Sequence, residues 1–194
     1  MTIAIIGEAI IDFIANPQGE YQPHLGGSPY NVAIGLARNG ESVSYLSPFS
    51  SDNFGELMRT SLLHEGVQIP LQRRSRYPTS LAIVTNDANR QPSYTLYREG
   101  IADKDIALAE IAAQLPADLS VLHTGSLAIT PSQLPKIREL LQLMQRRSIV
   151  ISLDLNIRLG ASLDAEAYLE GVGSLMPYAD LIKASDEDLA PFQF

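Results

Sequence analysis

Residues 121–153 read VLHTGSLAITPSQLPKIRELLQLMQRRSIVISL, and their alternation decides the fold. Val121 to Thr124 is a short, largely apolar run stopped by Gly125, which predicts a buried strand. Pro131 to Arg147 carries a helical rhythm, and Ile149 to Leu153 returns to a strand. A strand, a crossover helix and a second strand form the unit of a parallel sheet, because parallel neighbours cannot be joined by a tight hairpin. The rhythm extends in both directions. Helix Ala107 to Gln114 precedes it; helix Asp164 to Met176, strand Leu181-Ile182 and a helix from Ser185 follow it. Near the N-terminus, Ile3 to Ile6 and Val43 to Leu46 read as strands, and Asn53 to His64 as a helix closed by Gly66.

Two interludes break this rhythm. Ile10 to Ala15, the turn Pro17-Gln18-Gly19 and Tyr21 to Leu25 predict a hairpin. Val67 to Arg98 shows little helical period; Thr79 to Thr85 and Ser93 to Arg98 predict two antiparallel strands around turn residues Asn86-Asp87 and Asn89. The expected architecture is one α/β domain over residues 1–194, with a mostly parallel sheet covered by helices on both faces. A small β-lid, inserted through segments near 10–25 and 67–98, completes it. Between a lid and the strand ends is where α/β proteins usually bind ligands.

Composition narrows the function. With 14 basic against 22 acidic residues the net charge is -8, which argues against nucleic-acid or anionic-membrane partners, since both need a basic face. The absence of cysteine removes disulfide scaffolds, thiolate metal sites and cysteine nucleophiles. No apolar run approaches the roughly 18 residues of a membrane span, so a cytoplasmic protein is the default expectation. No GxxxxGK[ST] or GxGxxG is present, so neither a P-loop nor a dinucleotide fold is supported.

The most informative short element is Gly26-Gly27-Ser28-Pro29-Tyr30-Asn31. Two glycines let backbone approach a ligand, Ser28 is expected to cap a helix with Pro29 in its first turn, and the Asn31 amide can donate to and accept from a hydroxyl. A simple turn into a capped helix is the competing reading. Asp12, in an apolar strand, either pairs with a backbone N–H or accepts from two vicinal hydroxyls; Glu8 reads as a solvent residue at a strand end. Period-2 spacing puts Asp154, Asn156 and Arg158 on one face past a strand end, a set suited to a polyhydroxyl or phosphate ligand. Arg98 either points into the cleft or is solvated. His123 reads as a satisfied core histidine, and the histidines give no metal spacing.

In chain order these pieces resemble the ribokinase-like (PfkB) carbohydrate kinases, most closely the bacterial fructokinase type. The resemblance rests on Gly7-Glu8 with Asp12; Gly26 to Ala33; Asp52 to Gly55; Tyr97-Arg98 with Ala102-Asp103; Asp154 to Arg158; and Ala179 to Lys183. It implies a Rossmann-like α/β body, a β-lid that often serves in homodimerisation, and transfer of a phosphoryl group from ATP, with Mg2+, to a sugar, here fructose. By position, Asp12, Gly26, Gly27 and Asn31 would hold sugar hydroxyls, Arg98 would reach in from the lid, and Asp154, Asn156 and Arg158 would line the sugar–phosphate junction. Lys183, Ser185 and Asp188 would lie toward the cofactor, although Ser185 and Asp188 stand where the family often has Asn and Glu. The family's Gly-Ala-Gly-Asp turn, which supplies the catalytic base and an anion hole, does not occur in these 194 residues. The resemblance therefore implies a C-terminally truncated domain without a catalytic residue of its own, expected to bind sugar and not to turn over. A non-catalytic sugar-binding or dimer-forming protein, or a truncation product without function, is the alternative.

Overall fold

A computed structural model describes residues 1–86 and 92–192. In chain order it holds β1 (Thr2–Ile5), β2 (Ile10–Ala15), β3 (Tyr21–Gly26), α1 (Ser28–Arg38), β4 (Ser42–Tyr45), α2 (Asn53–His64), β5 (Ser80–Asn86) and β6 (Pro92–Tyr97). Then come α3 (Leu108–Ala113), β7 (Leu119–Gly125), α4 (Leu134–Arg146), β8 (Val150–Asp154), α5 (Ala165–Gly173), β9 (Leu181–Lys183) and α6 (Asp186–Leu189).

The body is a sheet in the order β4-β1-β7-β8-β9, parallel at every pairing. Successive strand residues point to opposite faces, so this sheet feeds two cores. Ala4, Leu122, Ile151 and Leu153 pack with Ile137, Leu140 and Leu141 of α4 and Tyr168 and Val172 of α5. On the other face Ile5, Val43 and Tyr45 pack with Tyr30 and Ala33 of α1 and Met58 and Leu62 of α2. The parallel α/β expectation holds, and the helix and strand bounds differ from the expected ones by at most a few residues. Among the described residues no helix is long and apolar enough to cross a membrane.

The second sheet, in the order β3-β2-β5-β6, is the lid. Its two hairpins are antiparallel within themselves and are joined by a parallel pairing of β2 with β5. The lid is shorter than the sequence suggested. Residues 67–79 run along the body, where Gln68 and Ser75 make parallel bridges to Ser44 and Ser50, and only strands β5 and β6 of that segment enter the lid. The expected turn residues Asp87 and Asn89 lie outside the described residues.

Two polar anchors tie lid to body. Asp52 caps α2 by accepting from the Gly55 N–H at 2.7 Å, and it also accepts from the Thr79 N–H at 2.8 Å and the Thr79 hydroxyl at 2.6 Å, just before β5. Just after β6, Arg98 pairs with Asp103 at 2.8 Å and donates to the Ser80 hydroxyl at 2.8 Å. Both partners of that ion pair are almost wholly buried.

Candidate functional site

A cavity of about 510 Å³ lies where the concave face of the lid meets the ends of the body strands. Its lid wall follows from strand register. Asp12 stands beside Ala82, Ala82 beside Leu96, and Tyr94 two residues before Leu96, so these side chains share one face of the sheet. All four line the cavity, as does Ile10. The opposite wall comes from Gly27, Ser28 and Asn31 at the start of α1, and from Ser126, Asn156 and Arg158 past the ends of β7 and β8.

The glycine turn is shaped by two close approaches. A Cβ on Gly26 would lie 2.3 Å from an oxygen of the Asp12 carboxylate. A Cβ on Gly27 would lie 2.5 Å from the Glu8 carbonyl oxygen, and Gly27 has φ +111°, which L side chains rarely adopt. Ser28 does not cap α1 as expected. Gly27 is the cap residue, without a side-chain bond, and Ser28 is the first helical residue. The Ser28 N–H donates to Glu8 Oε1 at 3.1 Å, and its hydroxyl donates to Asp154 Oδ2 at 3.5 Å.

The Asp12 carboxyl is raised by burial, with His24 across the strand pair opposing, and among the described residues no hydrogen bond offsets the burial. A half-buried carboxylate left unpaired in a cavity is an acceptor waiting for donors. Asn31 contributes its amide from the opposite wall.

Asp154, Asn156 and Arg158, at and beyond the end of β8, do not share a face. The strand ends at Asp154, and Asn156 has φ +33°, in the left-handed region that breaks period-2 alternation. Asn156 and Arg158 line the cavity, whereas Asp154 lies below it, 6% exposed and ion-paired to Lys183 at 3.1 Å. Ser126, also left-handed at φ +55°, accepts from Asn156 Nδ2 at 2.9 Å. Two non-glycine residues held in this region at neighbouring strand tips, each costing about 1–2 kcal/mol, are a local strain concentrated on the cavity wall.

Arg98 is neither solvated nor on this cavity. Buried against Asp103, it borders a second cavity of about 530 Å³ together with Lys104, Ser132 and Asp164. His123 is satisfied at one nitrogen only: Nδ1 shares a 3.0 Å hydrogen bond with Ser152, and Nε2 is buried without a partner.

Toward the expected cofactor side, Ser185 and Asp188 are occupied with each other. Asp188 Oδ2 accepts from the Ser185 N–H and hydroxyl, both at 2.9 Å, and Oδ1 accepts from the Ile157 N–H at 2.7 Å. These bonds hold the Asp188 carboxyl below its ordinary range despite its burial. Lys183 is engaged by Asp154. No cluster of three or more His, Asp or Glu able to hold a metal occurs among the described residues. By themselves, then, these residues do not fit a Mg2+ or nucleotide-phosphate site.

Sequence reasoning misread Glu8. It is 2% exposed, not solvated, and it lines the cavity floor. Burial pushes its carboxyl up to about 7, with Arg98 partly opposing. It also missed Tyr94, Leu96 and Ser126. Tyr94 and Leu96 were within reach, because stepping back by twos from Arg98 names them.

The sequence profile of pfkB family carbohydrate kinases matches residues 2–192. The chain belongs to that family. It is 32% identical over 191 residues to a fructokinase of Rhizobium leguminosarum bv. trifolii, covering 96% of this chain and 58% of that protein. The crystal structure of a fructokinase from Xylella fastidiosa superposes with TM-score 0.90 at 29% identity, covering 98% of this chain and 63% of that one. A Vibrio cholerae O395 fructokinase in its fructose, ADP and calcium-bound form superposes with TM-score 0.82 at 25% identity, covering 97% and 61%. The pfkB chain thus spans about three fifths of the length of these relatives.

Proposed function

We propose that these 194 residues form the sugar-binding part of an ATP-dependent carbohydrate kinase, with fructose as the sugar. The observation that carries this reading is the convergence on one cavity of Asp12, Asn31, Asn156 and Arg158, drawn from the lid, α1 and the loop after β8. A carboxylate acceptor, two amides that both donate and accept, and a guanidinium match a ring of vicinal hydroxyls. The volume lies within the roughly 300–1,000 Å³ of small-molecule sites. The relative from Vibrio cholerae crystallised with fructose and ADP gives the choice of sugar its support.

ATP with Mg2+ supplies the transferred phosphoryl group in this reading, and the residues that would hold them are not assembled here. The role of this chain's residues is to bind and orient a sugar hydroxyl. We therefore expect fructose binding by calorimetry and no ADP production in a coupled assay of the 194-residue chain. Absence of fructose binding would overturn the sugar reading, and ATP-dependent turnover would overturn the expected inactivity. Pairing of two copies through the lid is part of the proposal. It is supported by the exposed Ile14 and Tyr94, which flank Val84 on one face of the lid sheet, and sedimentation velocity tests it.

A further inference from the structure

Among the described residues, Glu8 is the one buried carboxyl on the cavity that the sugar reading leaves without a task. It sits two residues before β2 and just after β1, on the connection from body to lid. Its Oε1 accepts from the Ser28 N–H at 3.1 Å, and the Ser126 hydroxyl, just past the end of β7, acts on the same buried carboxyl. Its backbone carbonyl also lies where a Cβ on Gly27 would collide. Glu8 thus touches the glycine turn twice, once through main chain and once through side chain.

The charges around it come from every neighbouring element. Arg98 and Asp103, the buried pair beside β6, both act on it; Tyr45 of β4 and Tyr168 of α5 feel its charge; and the Ser126 hydroxyl faces it from the end of β7. Ser126 in turn accepts from Asn156. A buried carboxyl is expensive unless its few partners are fixed in place, and here those partners are the first residue of α1 and the residue after β7. This one is retained where the two walls of the cavity meet.

We propose that Glu8 is a positioning residue of the sugar cleft: its carboxyl fastens the Gly26-Gly27-Ser28 turn to the ends of β1 and β7, so that the hydroxyl-binding walls stand at a fixed separation. The ligand class rests on the sugar reading above; the fastening does not. Ionised, Glu8 is the stronger acceptor toward the Ser28 N–H, so local opening of the turn is suppressed as the carboxyl loses its proton, even though the same ionisation lowers the stability of the whole fold.

The test uses the ligand-free 194-residue chain first. Protection of the Ser28 amide against hydrogen exchange is measured at about pH 6 and about pH 8 in the wild type, Glu8→Gln and Glu8→Ala. In the wild type, protection, corrected for the intrinsic exchange rate, is expected to rise about threefold or more between the two; in Glu8→Gln it stays level; in Glu8→Ala it falls about tenfold. Equal pH behaviour of wild type and Glu8→Gln would overturn the proposal, and that comparison stands even if Glu8→Ala does not fold. Fructose titrations on the same proteins are expected to follow the same order, tighter at the higher pH only where Glu8 is present. If the wild type binds no fructose, the sugar reading fails while the exchange series still decides the role of Glu8.

Discussion

Asp12 and Glu8 are two acids in the same cleft, both raised by burial, of which only Glu8 is hydrogen-bonded to the glycine turn. Asp12 is half buried without a bond to offset its burial, so Asp12→Asn is expected to weaken fructose binding by roughly ten- to a hundredfold, the usual worth of a hydrogen bond to a charged group. The melting temperature should not fall, because the substitution removes a carboxylate whose ionised form the fold disfavours; calorimetry with a thermal melt reads both. Glu8 gives a pH signature. Its carboxyl titrates at about 7 in the fold against 4.5 ordinarily, so the folded state holds a proton that the unfolded state has released. Stability from this group is fully present below about pH 4.5 and is lost as pH rises through 7, on the order of 3 kcal/mol in all. His123, whose ring burial lowers its pKa, acts in the opposite direction over part of that range. The measurement is therefore the difference: Glu8→Gln should gain stability relative to the wild type between pH 5 and pH 8 in denaturant titrations. Identical slopes would refute this.

At the scale of elements, the legible parts were those that declare themselves locally. The strand–helix–strand of residues 119–154 is periodic and bounded by breakers, and it folds as read. The alternation assumed through Asp154, Asn156 and Arg158 failed because Asn156 turns left-handed, a choice that asparagine tolerates but that no spacing announces. Glu8 was illegible for a different reason: the groups that bury it, near residues 28, 98 and 126, arrive from distant segments. Arg98 and Asp103 give a prediction at this scale. They are 7% and 4% exposed and pin the end of β6 to the turn at Ala102–Lys104. Asp103→Asn leaves a buried guanidinium uncompensated and is expected to cost about 3–5 kcal/mol by chemical denaturation. The pair replacement Arg98→Met with Asp103→Leu should recover most of that loss. If the single and double variants are equally unstable, charge pairing is not what holds the strand.

For the whole molecule, the outer strand of the body sheet is the exposed feature. Among the described residues β9 pairs only with β8, and Leu181 and Ile182 are 60% and 42% exposed. An open apolar edge templates further pairing, and a lysine on such an edge is a common natural defence. The chain is therefore expected to self-associate at rising concentration, and Leu181→Lys to shift its light scattering toward the monomer. Unchanged scattering would place the association elsewhere.

The parallel pairing of β2 with β5 has a consequence in time. Each lid hairpin is local and can close within microseconds. The seam between them joins Ile10–Ile14 to Ser80–Val84, and the chain between builds α1, β4 and α2. Closing so long a loop is entropically costly until that intervening chain has condensed. Maturation should therefore run from the body outward, with the seam among the last steps. In pulsed exchange during refolding, amides of β1 and β4 should gain protection before those shared by β2 and β5. A nascent chain would then possess its glycine turn before the wall that faces it, and would acquire a ligand site only when the two hairpins are sewn together.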